Sequence, residues 1–197
     1  MKTDIILAGV GGQGILSIAA AIAAAALHEN LHIKQAEVHG MSQRGGDVQS
    51  HLRISDKPVL SDLIPAGESN LILSVEPLEA LRYLPYLHSN GWVVTNSTPF
   101  VNVPNYPDPL QILETLNSLP RVVILDAESL AKECGIERAS NMVMLGAAIP
   151  FLQLSQASVE DAVSRTFERK GQEIVNLNIR ALRAGLEVSS KKGTLLT

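Results

Sequence analysis

The chain is 197 residues long, 46% hydrophobic and 18% charged, with a net charge of −4. That length suits one domain with a sizeable core, and the composition excludes disorder and fibrous repeats. The acidic balance excludes a basic nucleic-acid footprint. The single cysteine, Cys134, excludes an internal disulfide, a structural zinc site or an iron–sulfur cluster held by this chain alone.

In chain order, Thr3–Ala8 is a tight apolar run ending at glycine and predicts a buried strand. Gln13–His28 predicts a helix; seven of the eight residues from Ala19 to Ala26 are alanine, the best helix former. That helix is apolar all round, which predicts burial on every side. The apolar run Ile15–Leu27 is 13 residues, short of the roughly 20 a membrane span needs. Lys2 and Asp4, and the glycines that follow, do not fit a secretory signal. A cytoplasmic protein without membrane contact is expected.

His32–Val38 predicts a second strand, completing a β-α-β unit over residues 3–38. Asp47–Ile54 alternates in polarity, as a half-exposed strand at or near a sheet edge does. Asn70–Val75 predicts a buried strand, and Glu76–Leu87 a helix with Pro77 in its first turn and Pro85 bending or ending it. A turn at Ser89-Asn90-Gly91 leads into a strand at Gly91–Thr95. Four prolines make residues 97–109 a loop. A helix at Pro109–Leu119 and a strand at Arg121–Leu125 follow, and Asp126 caps a short helix ending near Gly135. Asn141–Leu152 is an apolar helix. Ser158-Val159-Glu160-Asp161 reads as a capping box opening a helix to about Lys170. Glu173–Val188 is an amphipathic helix, and residues 189–197 are expected to fray. The pattern predicts one α/β domain over residues 1–197, Rossmann-like and three-layered, with a mainly parallel sheet and C-terminal helices as a small appendage.

Two glycine-rich stretches carry the chemistry. Gly9-Val10-Gly11-Gly12-Gln13-Gly14 fits G-x-G-x-x-G between a strand and a helix. Such a turn brings backbone close to a ligand, and the helix N-terminus behind it favours an anion. Glu37, ending the second strand, is placed to accept from a ribose hydroxyl. The second stretch is Glu37-Val38-His39-Gly40-Met41-Ser42-Gln43-Arg44-Gly45-Gly46. Successive N–H groups at Gly45 and Gly46 form an anion nest, and Arg44 brings a bidentate donor for carboxylate or phosphate. Both stretches leave the carboxyl ends of strands, where open α/β sheets bind ligands. On the residues alone two functions stay open: dinucleotide binding at Gly9–Gly14, or a loop pair that meets a partner.

GVGGQG and EVHGMSQRGG together resemble the gamma-type domain of the 2-oxoacid:ferredoxin oxidoreductases, and within that family the small beta subunits of its indolepyruvate branch. Leu63-Ile64-Pro65 with Gly67-Glu68, the segment Glu76–Tyr83 (EPLEALRY) and Asn141–Gly146 (NMVMLG) extend the likeness over about residues 3–188. The resemblance implies oxidative decarboxylation of a 2-oxoacid, with thiamine diphosphate and iron–sulfur clusters on a larger partner subunit, coenzyme A as co-substrate and ferredoxin as acceptor. No catalytic residue is assigned to this chain; His39, Ser42, Gln43 and Arg44 are the candidate contributors to catalysis, and the two glycine-rich stretches supply Gly9, Gly11, Gly12, Gln13, Gly14, Glu37, Gly45 and Gly46 as candidate cofactor-binding residues. No metal is expected on this chain. A pyruvate or 2-oxoglutarate gamma subunit is the neighbouring reading.

Overall fold

The computed structural model describes residues 1–39, 45–101 and 103–193. Six strands form one sheet: β1 (Lys2–Val10), β2 (His32–His39), β3 (Asp47–Ser55), β4 (Ser69–Ser74), β5 (Leu87–Asn96) and β6 (Val122–Leu125). Their order is β2-β3-β1-β4-β5-β6. β1, β4, β5 and β6 pair in parallel, whereas β3 is antiparallel to both its neighbours, β1 and β2. The α/β reading with a mainly parallel sheet therefore holds. The expected β-α-β unit is looser than predicted: β1 and β2 run the same way, but β3 lies between them.

The strand pleat sends alternate residues of β1 to opposite faces. Ile5 and Leu7 enter a core with Leu52, Ile54, Leu71 and Leu73, and Ile6 and Ala8 enter another with Ile72 and Val93. The first core is covered by α1 (Ile15–His28), α4 (Ala127–Glu133), α5 (Ser140–Leu152), α6 (Gln156–Phe167) and α7 (Gln172–Gly193). The second is covered by α2 (Pro77–Arg82) and α3 (Pro109–Asn117). This makes three layers. The C-terminal helices are not the appendage expected from the sequence, because α5 and α7 share the first core with α1 and the sheet.

Several boundaries differ for local reasons. α2 stops at Arg82, and Pro85 lies in a separate 3-10 turn, Leu84–Tyr86. Ser89-Asn90-Gly91 is no turn; it lies inside β5, where the register against β4 shifts between Ser69 and Leu71. Gly91 allows that bulge, since a Cβ there would sit 2.8 Å from the Ser69 carbonyl oxygen. The cap of α6 is Ser155, whose side chain accepts from the Ser158 N–H at 3.1 Å. α7 continues to Gly193, so residues 189–193 are helical instead of frayed, with Ser189 buried and its hydroxyl donating to the Leu186 carbonyl. α1 is buried on one side only. Leu16, Ala20, Ala24 and Leu27 are exposed at helical spacing, leaving an apolar stripe in solvent. Among the described residues no helix is long and apolar enough to cross a membrane.

Candidate functional site

The helix after β1 and the helix after β4 pack on opposite faces of the sheet. The carboxyl ends of these neighbouring strands therefore form the topological switch point, where open α/β sheets hold their ligands. Gly9–Gly14 leaves β1 at this point, and Val75-Glu76 leaves β4. The Val75 N–H donates to the Ala8 carbonyl at 3.0 Å. Gln13 stitches the two turns together: its Oε1 accepts from the Val10 N–H at 2.8 Å and its Nε2 donates to the Val75 carbonyl at 3.4 Å.

Three glycines of the first turn are required for different reasons. A Cβ on Gly9 would stand 2.4 Å from Val75 Cγ2, so β1 and β4 can close only over a glycine. Gly14, with φ +83°, caps α1 in the left-handed region, and a Cβ there would meet the Asn141 side chain at 2.6 Å. Gly12, at φ +103°, faces open space. The segment beginning at Asn141 thus packs on the glycine turn.

The structure also brings the second glycine stretch to the first. The Gly11 N–H donates to the Gly46 carbonyl at 2.9 Å, and β3 begins beside the end of β1, with Val10 opposite Asp47. Gly40, Met41, Ser42, Gln43 and Arg44 lie outside the described residues, and only the backbone of His39 is described. Between the two stretches lies a cleft of about 380 Å³ lined by Val10, Gly11, Gly12, Gly14, Ile15, Leu16, Glu37 and Val48. Most of its side chains are apolar, and Glu37 brings one carboxylate. The backbone N–H groups of Gly11 and Gln13 are both engaged inside the protein, by the Gly46 carbonyl at 2.9 Å and the Val10 carbonyl at 3.2 Å.

Sequence reasoning missed a second polar group at the carboxyl ends of β4 and β5. Glu76, 1% exposed, caps α2: its Oε2 accepts from the Glu79 N–H at 2.8 Å. Glu79 holds Arg82 through two bonds of 2.8 and 3.2 Å, yet burial outweighs that guanidinium and raises its pKa. Tyr83 reaches Asp47 at 3.5 Å and so ties α2 to the start of β3. Burial and then Asp47 push the Tyr83 hydroxyl far above its ordinary range. At the end of β5, Asn96 donates to Glu128 at 2.9 Å and accepts from the Ala127 N–H at 3.1 Å, which fixes the start of α4. The available signal was Glu76-Pro77 directly after an apolar strand, the pattern of a capped helix start with proline at its first position.

Among the described residues there is no group of three or more side chains able to hold a metal ion. Cys134 is buried at the end of α4, and burial raises its pKa. One protonated thiol does not fit an iron–sulfur cluster, which takes four ligands.

The profile of the family "Pyruvate ferredoxin/flavodoxin oxidoreductase" matches residues 4–188. The chain belongs to this family. Relatives within the pyruvate ferredoxin/flavodoxin oxidoreductase family include the indolepyruvate oxidoreductase subunit IorB of Archaeoglobus fulgidus, 36% identical with 94% of each chain covered. The IorB subunit of Methanothermobacter thermautotrophicus is 34% identical over 97% of this chain and 100% of its own. The same fold occurs in the gamma subunit of a keto/oxoacid ferredoxin oxidoreductase from Geobacter sulfurreducens, with TM-score 0.69, 23% identity, and 96% and 99% of the two chains covered. It also occurs in the 2-oxoglutarate:ferredoxin oxidoreductase of Magnetococcus marinus, solved with 2-oxoglutarate, coenzyme A and succinyl-CoA bound. There the TM-score is 0.75 at 21% identity, and this chain covers 31% of that longer one.

Proposed function

We propose that this chain is the small subunit of a cytoplasmic indolepyruvate:ferredoxin oxidoreductase. The observation that carries the choice of substrate is a gap in similarity. Four IorB subunits are 34–36% identical to the chain over nearly its whole length. Ketoisovalerate subunits and the common gamma subunits of pyruvate/ketoisovalerate enzymes reach 27–29%. The reaction would convert indolepyruvate and coenzyme A to indoleacetyl-coenzyme A and carbon dioxide, releasing a proton and passing two electrons to ferredoxin. A larger, cysteine-rich partner subunit holds the thiamine diphosphate and the clusters that this chain lacks the ligands to hold.

In this reading the chain builds one wall of the shared site. The Gly11–Gly46 hydrogen bond locks the two glycine stretches into one edge. Gly12, with open space where a side chain would stand, is where a group of the partner or of coenzyme A approaches. The proposed contributors to catalysis from the second stretch are His39, Ser42, Gln43 and Arg44, with Arg44 to pair with a carboxylate or phosphate. The apolar stripe of α1, from Leu16 to Leu27, continues the cleft and suits the partner interface.

The test is anaerobic affinity purification of the tagged chain from its native extract, followed by mass spectrometry and assay. The expected result is a larger chain carrying thiamine diphosphate, and a complex that reduces ferredoxin with indolepyruvate faster than with pyruvate or 2-oxoglutarate. In that complex Arg44→Ala lowers turnover more than about 10-fold, the scale of a lost charge-assisted pair. Turnover by the isolated chain, or a complex preferring pyruvate, overturns the reading.

A further inference from the structure

The loop that follows β5 shows an inverted polarity. Its apolar residues Phe100, Val101 and Val103 are 44%, 65% and 45% exposed. Two of its polar contacts, from Phe100 and Tyr106, converge inward on one carboxylate. The Phe100 N–H donates to Glu76 Oε1 at 3.3 Å, and the Tyr106 hydroxyl donates to the same oxygen. The other oxygen of Glu76 is engaged by the first turn of α2. Glu76 is itself pinned to the end of β4, its carbonyl accepting from the Ser74 hydroxyl at 2.6 Å. The Tyr106 hydroxyl stays protonated, because burial and then its bond to Glu76 push it far above its usual range.

We infer that Glu76 is a latch: one buried carboxylate at the end of β4 caps α2 and holds the loop at two points, Phe100 and Tyr106, so that Phe100, Val101 and Val103 stand in water. The energetic argument is an asymmetry. Three large apolar side chains in solvent favour collapse of the loop onto the protein. Collapse would strip a buried carboxylate of two donors, and an uncompensated buried charge costs more than such burial returns. The latch stands whether or not the subunit reading above is right, since it concerns this chain's own conformation.

The test is hydrogen exchange followed by mass spectrometry on the full chain, with wild type, Glu76→Gln, Tyr106→Phe and the double variant. Glu76→Gln is expected to speed exchange in the peptide spanning Phe100 to Tyr106 by about 10-fold or more, the scale of charge-assisted bonds. Peptides from α5 and α7 should be unchanged. Tyr106→Phe should speed the same loop peptide less, and the double variant should add nothing beyond Glu76→Gln, as partners in one network do. The inference is overturned by an unchanged loop, by acceleration spread evenly over the whole chain, or by additive effects in the double variant. Should Glu76→Gln fail to fold, Tyr106→Phe decides alone: faster loop exchange with a quiet core supports the latch, and unaltered exchange overturns it.

Discussion

Gly9 and Gly12 belong to the same short turn and are glycine for different physical reasons. At Gly9 the obstacle is Val75, 2.4 Å from where a Cβ would stand. At Gly12 only the backbone angle, φ +103°, resists a side chain. Gly9→Ala should therefore cost about 3 kcal/mol, at the upper end of overpacking. Gly12→Ala should cost about 1–2 kcal/mol, the strain of a left-handed alanine. Urea unfolding of the two variants measures the difference, and equal losses would contradict it. A second residue carries a pH dependence. His51 is buried, and its Nδ1 accepts from the Ile64 N–H at 3.0 Å, which only the neutral ring can do. Burial, then the Arg53 charge, hold its pKa below 6.5, against an opposing pull from Asp62. Below pH 6.5 the unfolded chain takes up the proton more readily than the folded one, so stability is complete above that pH and falls beneath it. Urea midpoints measured downward through pH 6.5 should drop more steeply for wild type than for His51→Gln. At this scale the glycine turn was legible because its spacing is local. Glu76, Tyr106 and Asp47 were not, because their partners are brought to them by the tertiary fold.

Among the elements, α5 and α7 cross at close quarters. A Cβ on Gly146 would fall 1.8 Å from the Leu182 carbonyl oxygen, and one on Gly185 would fall 1.9 Å from the Val143 carbonyl oxygen. Neither neighbour is a side chain that can rotate away, so the two helices meet backbone to backbone. Gly146→Ala must push them apart; we expect a loss of more than about 3 kcal/mol, or failure to fold, read as soluble yield and melting temperature. The apolar periodicity predicted both helices but not their contact, since a mid-helix glycine is silent about what it faces. The capping box was displaced in the same way. Ser158 offered the expected spacing, yet Ser155 takes the cap because the αL residue Gln153 ends α5 just before it. Strands were read within a residue or two, except β5, whose early part hides behind a turn-like Ser-Asn-Gly.

On the scale of the whole molecule, α1 exposes an apolar stripe that begins at the cleft. Leu16 is 53% exposed and Leu27 61%. If that stripe meets the larger subunit, Leu16→Glu should leave the isolated chain within about 0.5 kcal/mol of wild type and weaken association with the partner at least about 10-fold, as loss of a buried interface anchor does. Titration of wild-type and variant chains against the partner tests this, and equal affinities would remove the stripe from the interface. The alanine run read as a fully buried helix because composition reports how apolar a surface is, not whether this chain or another covers it.

The position of β1 has a consequence for synthesis. It is the first strand of this sequence, yet it ends at the middle of the sheet, paired with β3 on one side and β4 on the other. β4 does not end until Ser74. At about 5–20 residues per second, a ribosome needs several seconds to deliver that second neighbour. During that interval a run of apolar residues, Ile5 to Val10, has both edges open while α1, β2 and β3 emerge. The antiparallel β2–β3 pair, local in sequence, is then the earliest template against which β1 can be sheltered.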